Sequence, residues 1–193
     1  MSRENTTAVV AEIIKQKIET KERLVVGIDG RSGSGKTTLA NALHERFGGT
    51  VIHADDFYLP SALRTVEREK EPGGNIHYER FKAEVMDGLR SGRPFRYGVY
   101  DCGTQKIVRE EPVENTGLII VEGSYSLHPV LEAPYDLKFF LDISPDLQSK
   151  RILERNGAEA AERFKSIWIP MEETYFNELR IRKQEGVTVL NIR

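Results

Sequence analysis

The sequence predicts an α/β fold in which a central parallel sheet carries helices on both faces. Three observations predict it. Short, apolar, β-rich runs at residues 24–28, 118–121 and 137–141 read as buried central strands. Stretches with helical periodicity alternate with them, the pattern of a parallel sheet whose ligands bind beyond the carboxyl ends of its strands. The first run opens directly into Gly30-Arg31-Ser32-Gly33-Ser34-Gly35-Lys36-Thr37, which fits the phosphate-binding pattern G-x-x-x-x-G-K-[ST] at every constrained position.

The elements follow in order. Over 6–22 the residues Val9, Val10, Ile13, Ile14 and Ile18 recur at spacings of three and four, which predicts a helix with one buried face. Residues 24–28 form the first strand, 38–47 a helix stopped by Gly48-Gly49, and 50–54 the second strand. Segment 55–75 carries Pro60, Pro72, Gly73 and Gly74 among Arg64, Glu67, Arg68, Glu69 and Lys70, so it is expected to be long and exposed with at most a short helix. Loops of that length inside a compact domain are usually functional. A helix over 78–90 puts Phe81, Val85 and Leu89 on one face, and 95–100 with 105–108 predict a short β-hairpin off the main sheet. Strands 118–121 and 137–141 each run into an acidic residue, Glu122 and Asp142. Pro145 begins a helix reaching about residue 155, a further helix spans 158–182 with a bend at Pro170, and 187–192 supply the last strand.

With 193 residues, one domain covering 1–193 is expected. The 39% apolar and 30% charged content suits a soluble chain with a full core. A formal net charge of −2 argues against nucleic-acid binding driven by bulk electrostatics, so any anionic ligand must be met locally. Cys102 is the only cysteine, which excludes an intramolecular disulfide and fits a reducing cytoplasm. The first residues hold no apolar stretch of signal-peptide type, and no run approaches the ~20 apolar residues of a membrane span. The expectation is a cytoplasmic protein with no nucleic-acid or membrane partner; homo-oligomerisation is left open. His44, His53 and His128 lack ligand spacing, so no zinc site is assigned, and Trp168, Ile169 and Met171 read as packing.

The chemistry starts at the loop. Gly30, Gly33 and Gly35 let the chain wrap, so that the backbone N–H groups around Ser32, Ser34, Lys36, Thr37 and Thr38 point inward at the phosphates of a nucleoside triphosphate. Lys36 would reach the β- and γ-phosphates, the Thr37 hydroxyl would ligate Mg²⁺, and the following helix N-terminus adds a favourable field. The fold class is therefore a P-loop NTPase three-layer sandwich, with ATP and Mg²⁺ as expected cofactors. No Asn-Lys-x-Asp stretch reads guanine, no Leu-Ser-Gly-Gly-Gln stretch marks a transporter ATPase, and the chain is short for an oligomeric motor. A small-molecule kinase is favoured.

His53-Ala54-Asp55-Asp56-Phe57-Tyr58 resembles the Asp-x-Phe-Tyr signature of the uridine kinase, phosphoribulokinase and pantothenate kinase group. The resemblance implies that Asp55 activates the acceptor hydroxyl, with Tyr58 in the acceptor pocket. Ile120-Val121-Glu122-Gly123-Ser124-Tyr125 resembles the group's strand ending in Glu-Gly, which implies that Glu122 lies near Mg²⁺ or the substrate, with Thr37 and either Glu122 or Asp55 organising Mg²⁺. Lys150-Arg151-Ile152-Leu153-Glu154-Arg155 resembles its helical lid, and the spacing puts Arg151 and Arg155 on one helix face, where they would close over the transferred phosphoryl. A salt-bridged, solvated face is the alternative for that pair. Tyr97-Gly98-Val99-Tyr100-Asp101 resembles the Val-Tyr-Asp stretch of uridine kinases, implying acceptor contacts for Tyr100 and Asp101. Those kinases place a His a few residues on, where this chain has Gln105, whose amide can still hydrogen-bond a base, a sugar or a pantothenate-like group of the acceptor. Asn75-Ile76-His77-Tyr78-Glu79 resembles the segment that meets the acceptor, implying roles for His77 and Glu79; stabilisation of a helix N-terminus explains Glu79 as well. The acceptor implied is a small molecule, best a nucleoside such as uridine. A nucleotide-binding regulatory or assembly ATPase that touches a protein partner through 55–75 is the second reading.

Overall fold

The computed structural model describes residues 1–193. Helix α1 (Arg3–Ile18) begins three residues before the predicted start, because Ser2 caps it by accepting a hydrogen bond from the Asn5 amide at 3.2 Å. Its buried face is Thr6, Val10, Ala11 and Ile14; Val9, expected inside, is 41% exposed. Strand β1 (Arg23–Gly30) leads through the phosphate loop into α2 (Lys36–Phe47), and β2 (Thr50–His53) follows the glycine stop. The expected exposed segment consists of single 3₁₀ turns at Ala54–Phe57 and Ser61–Leu63 and the short α3 (Val66–Lys70).

Helices α4 (Tyr78–Phe81) and α5 (Asp87–Ser91) are joined by one π-turn over Lys82–Met86, and Phe81, Val85 and Leu89 are all buried as their spacing predicts. The hairpin of β3 (Phe95–Asp101) and β4 (Lys106–Val113) stands apart as a two-stranded antiparallel sheet. Strand β4 outruns its predicted end because one face of a two-stranded ribbon meets solvent, so Arg109, Glu110 and Glu111 continue it without an apolar alternation.

Strands β5 (Gly117–Glu122) and β6 (Leu137–Ile143) precede α6 (Pro145–Arg163), which Ser144 caps and Gly157 breaks with a φ of 79°. The break falls in the predicted gap between the last two helices. A π-turn over Phe164–Trp168 precedes α7 (Ile169–Glu178). Pro170 thus sits in the first turn of α7, where its missing N–H costs little, and the irregular backbone lies just before it. Helix α7 ends at Glu178, short of the predicted residue 182; a 3₁₀ turn over Ile181–Lys183 leads to β7 (Val187–Ile192).

The five-stranded sheet has the order β2-β5-β1-β6-β7, and every neighbouring pair is parallel. Alternation splits the core across it. Leu24, Val26 and Ile28 of β1, Leu118 and Ile120 of β5, and Phe139, Leu141 and Ile143 of β6 pack with α1 and α2. Val25, Ile119, Val121 and Phe140 pack on the opposite face with Phe81, Leu89, Tyr175 and Phe176. Each large apolar side chain so buried contributes about 1.5–3 kcal/mol. Because β1 pairs with β5 on one side and β6 on the other, the connections diverge at its carboxyl end, and a crevice opens there.

Candidate active site

The phosphate loop fills that crevice. Gly30 has a φ of 143°, and a Cβ there would lie 2.2 Å from the Leu141 carbonyl oxygen, so no side chain fits where the loop leaves the strand. Gly33 and Gly35 turn the loop at φ values of 75° and 100°. Arg31 anchors it: Nε donates to Asp142 Oδ1 at 2.7 Å, and Nη1 pairs with Glu173. Behind the loop, the fully buried Asp29 accepts hydrogen bonds from the amides of Gly30 at 2.6 Å, Tyr125 at 3.3 Å and Leu127 at 3.0 Å, and from the Tyr175 hydroxyl at 2.7 Å. Burial pushes the Asp29 carboxyl up to about 6, opposed by those bonds and by the Lys36 charge.

Lys36 is folded onto the loop. Its Nζ donates to the carbonyls of Gly30 at 2.7 Å and Arg31 at 3.1 Å and lies 3.4 Å from Ser124 Oγ. Thr37 Oγ1 donates to the two Glu122 oxygens at 3.1 and 3.2 Å, and His53 Nδ1 is 2.6 Å from Glu122 Oε1. That bond to Glu122 pushes the His53 imidazole up, against burial. Asp55 opens to the crevice from the 3₁₀ turn after β2 and accepts from the Tyr58 hydroxyl at 3.2 Å. Its carboxyl is pushed up by desolvation; Lys36 opposes this and Glu122 adds to it. Its neighbour Asp56 is engaged by the Tyr97 hydroxyl.

Two cavities meet here. The first, about 470 Å³, is lined by Ser32, Gly33, Gly35, Lys36, Thr37, Thr38, Asp55, Tyr58, Glu122, Arg151 and Arg155, so the predicted nucleotide, metal and catalytic residues converge on one space. Ser34 is buried within the loop with its hydroxyl unpartnered. Arg151 Nη1 donates to the loop carbonyls of Gly33 at 3.2 Å and Ser34 at 3.4 Å, and desolvation together with the nearby Arg3 guanidinium pulls it down. The donor set fits a triphosphate with Mg²⁺: loop amides and unpaired cations for the anion, and Thr37 with one or two carboxylates for a cation that keeps phosphate and water ligands. No cluster of three or more His, Cys, Asp or Glu forms a self-sufficient metal cage.

The second cavity, about 350 Å³, shares Ser32, Tyr58, Ser124 and Phe164 with the first and adds Arg64, Asn75, Cys102, Gln105, Tyr125 and Glu172 together with Arg163 and Trp168 from the lid. Several sequence expectations lie elsewhere. His77 caps α4 and, with Glu79, faces a separate depression beside α3, where Arg68 holds Glu79 at 2.7 and 3.0 Å. Asp101 spends its carboxylate on the hairpin turn, accepting from the Thr104 amide at 2.6 Å and hydroxyl at 2.7 Å. Tyr100 is buried, and neither it nor Asp101 lines a cavity of the crevice. Gln105 reaches the second cavity, but its amide is committed: Oε1 accepts from the Ser61 amide and hydroxyl at 3.0 and 2.6 Å, and Nε2 donates to the Cys102 carbonyl at 2.9 Å.

Sequence reasoning missed Glu172. It is 2% exposed, accepts from the Ser32 amide at 3.1 Å and hydroxyl at 2.5 Å, from Ser124 Oγ at 3.2 Å and from Gln148 Nε2 at 3.2 Å, and so braces the loop against the floor of the second cavity. Arg3, at the start of α1, also reaches the first cavity. Neither belongs to a motif, and Trp168, assigned to packing, lines the second cavity.

Fold and loop together define a P-loop nucleoside triphosphate-binding protein. The chain belongs to the phosphoribulokinase/uridine kinase family, whose model matches residues 25–169. A uridine kinase of Limosilactobacillus reuteri is 28% identical over 164 residues, covering 77% of this chain and 72% of that one. A uridine kinase of Streptococcus agalactiae is 30% identical over 151 residues, covering 72% and 70%. The solved structure of a "possible uridine kinase" from Bacillus stearothermophilus superposes with a TM-score of 0.67 at 22% identity, over 97% of this chain and 99% of that one, and so shares the fold. The chain is thereby a small-molecule kinase in its general class. Helix α1 and its Arg3 precede the matched region.

Proposed function

We propose that the chain transfers the γ-phosphoryl of ATP to a hydroxyl of a small molecule seated in the second cavity, through a single domain spanning 1–193. The observation that carries this reading is the junction of the two cavities at Tyr58, whose hydroxyl donates to Asp55 in the first cavity at 3.2 Å. The phosphate loop and Asp55 line the first cavity, and a pocket large enough for a nucleoside-sized acceptor opens beyond the shared Ser32, Tyr58, Ser124 and Phe164. Phosphoryl transfer asks a protein mainly for positioning and charge stabilisation, with one carboxylate to orient the acceptor. Mg²⁺, when bound, supplies charge neutralisation between the phosphates.

Each residue then has a task. Lys36 exchanges the carbonyls of Gly30 and Arg31 for phosphate oxygens, a short swing of a flexible stem. Asp55, its carboxyl pushed up by desolvation, takes the proton of the acceptor hydroxyl. Thr37 and Glu122 hold the metal side, and Arg151 and Arg155 shield the transfer from water. The relatives' names make nucleosides the first acceptors to measure, while the committed Gln105 amide argues against uridine itself.

The experiment is acceptor-dependent ADP release by the wild type and by Lys36→Ala across nucleosides, sugars and hydroxy acids. Stimulation by one hydroxyl compound, abolished in Lys36→Ala while its circular dichroism and melting stay near wild type, is the expected result. ADP release indifferent to every acceptor, or normal turnover by the variant, defeats the reading.

A further inference from the structure

The second cavity holds two guanidinium groups that nothing in the protein neutralises. Arg64 comes from the turn before α3 and Arg163 from the end of α6, so elements far apart in sequence bring them to one space. Arg64 commits only its Nε, to the Leu59 carbonyl at 3.0 Å, and its two terminal nitrogens have no protein partner. The Arg163 side chain, exposed at the rim of the cavity, makes no hydrogen bond, ion pair or ring contact. Nearby arginines behave differently. Arg68 pairs with Glu79 at 2.7 Å and lies 3.7 Å from the Tyr78 ring centre; Arg80 pairs with Glu84 at 3.2 Å and lies 4.2 Å from that of Phe57.

The one carboxylate lining the cavity does not balance them. Glu172 is buried in the floor with its oxygens taken by Ser32, Ser124 and Gln148. Two like charges bordering a recessed space raise its potential and concentrate anions in it. A guanidinium is moreover a planar fork matched to carboxylate or phosphate oxygens. On the same wall the Asn75 carbonyl oxygen Oδ1 is buried without a partner, an acceptor that calls for a hydroxyl or N–H from a ligand.

We infer that the acceptor carries a negatively charged group, a carboxylate or a phosphate, held by Arg64 and Arg163 while a hydroxyl at its other end reaches Asp55. The inference rests on the phosphotransfer reading and narrows its substrate to anionic alcohols. Ser32, Tyr58 and Ser124 border both cavities, so one molecule can extend from the arginines to the catalytic carboxylate. A neutral nucleoside leaves both guanidinium groups without a counter-ion.

The first arm of the test titrates sodium sulfate calorimetrically into the protein saturated with Mg²⁺ and a non-hydrolysable ATP analogue, so that the phosphate loop is already filled. One sulfate site is expected in the wild type, weakened at least ~10-fold in an Arg64→Gln/Arg163→Gln double variant, the scale of one charge-assisted contact. The second arm compares acceptors that differ by one charged group: pantothenate with pantothenol, gluconate with sorbitol, glycerol 3-phosphate with glycerol. The charged member should be preferred in kcat/KM by ~10² or more, with the carboxylate and phosphate pairs separating the two sources, and the double variant should lose the preference through KM rather than kcat. Absence of the sulfate site, equal use of charged and neutral members, or a preference that survives in the double variant overturns the inference while leaving phosphotransfer standing. A sulfate site abolished in the double variant, with no alcohol stimulating ADP release, keeps the anion site and overturns phosphotransfer instead.

Discussion

Asp55 and Asp56 are adjacent in sequence and differ in what surrounds them. Asp55 faces the crevice beside Lys36 and Tyr58; Asp56 is held by Tyr97. Asp55→Asn should lower kcat by roughly 10²–10⁴, the range for loss of a general base, with ATP affinity nearly unchanged. Asp56→Asn should do much less, and steady-state kinetics of the two variants showing the reverse order would move the catalytic role one residue along. Asp29 gives a prediction in stability. Its folded value of about 6 lies above the ordinary 3.8, so the native state binds the extra proton between those values. Stability from this group is complete below pH ~4 and is lost as pH rises through 6, by at most about 3 kcal/mol at 1.36 kcal/mol per unit. Denaturation of wild type and Asp29→Asn from pH 4 to 7 should show the wild type's margin over the variant shrinking as pH rises. A constant margin would mean that the four hydrogen bonds to Asp29 offset its desolvation.

At the scale of elements, the lid is the part built to move charge into place. Gly157 breaks α6 just beyond Arg155, and the π-turn at Phe164–Trp168 swings the chain back over the second cavity. Arg151 and Arg155 therefore sit on a short, braced stretch of helix, while Phe164 and Trp168 on its far side face the acceptor space. Arg151→Ala and Arg155→Ala should each reduce kcat more than they raise the acceptor KM, because the guanidinium groups matter most as charge shifts during transfer. Unaltered kinetics in both variants would assign them to the solvated face of α6.

Across the whole molecule, the sheet places the loop, Glu122 and Asp55 at the carboxyl ends of its strands, but the second cavity, the proposed acceptor site, is assembled from the segment after β2, the hairpin, the turn after β5 and the lid. Of those parts, the hairpin departs from the uridine kinase pattern, with Gln105 where those kinases place a His. Uridine should accordingly be a poor substrate. Efficient phosphorylation, on the order of the ~10⁴–10⁸ M⁻¹s⁻¹ of ordinary enzymes, would show that the committed Gln105 and the unpaired arginines do not exclude it.

The sequence alone determined the parallel sheet, its two-sided core and the phosphate loop, because each is written in local patterns: apolar runs, helical spacing, and glycines where the backbone needs positive φ. It also placed Lys36, Thr37, Asp55, Glu122, Arg151 and Arg155 as candidates, since each lies in a short motif or at a strand end. Only the tertiary structure decided the rest. Glu172, Arg64, Asn75 and Arg163 carry no motif, and their meaning comes from contacts made across long stretches of chain. His77, Glu79 and Asp101 lie in segments that resemble the group's motifs, yet their side chains were captured by a helix end, by Arg68 and by a turn. Local periodicity reports which face is buried; which polar groups finally meet is set by how the elements pack, and the acceptor site consists of such meetings.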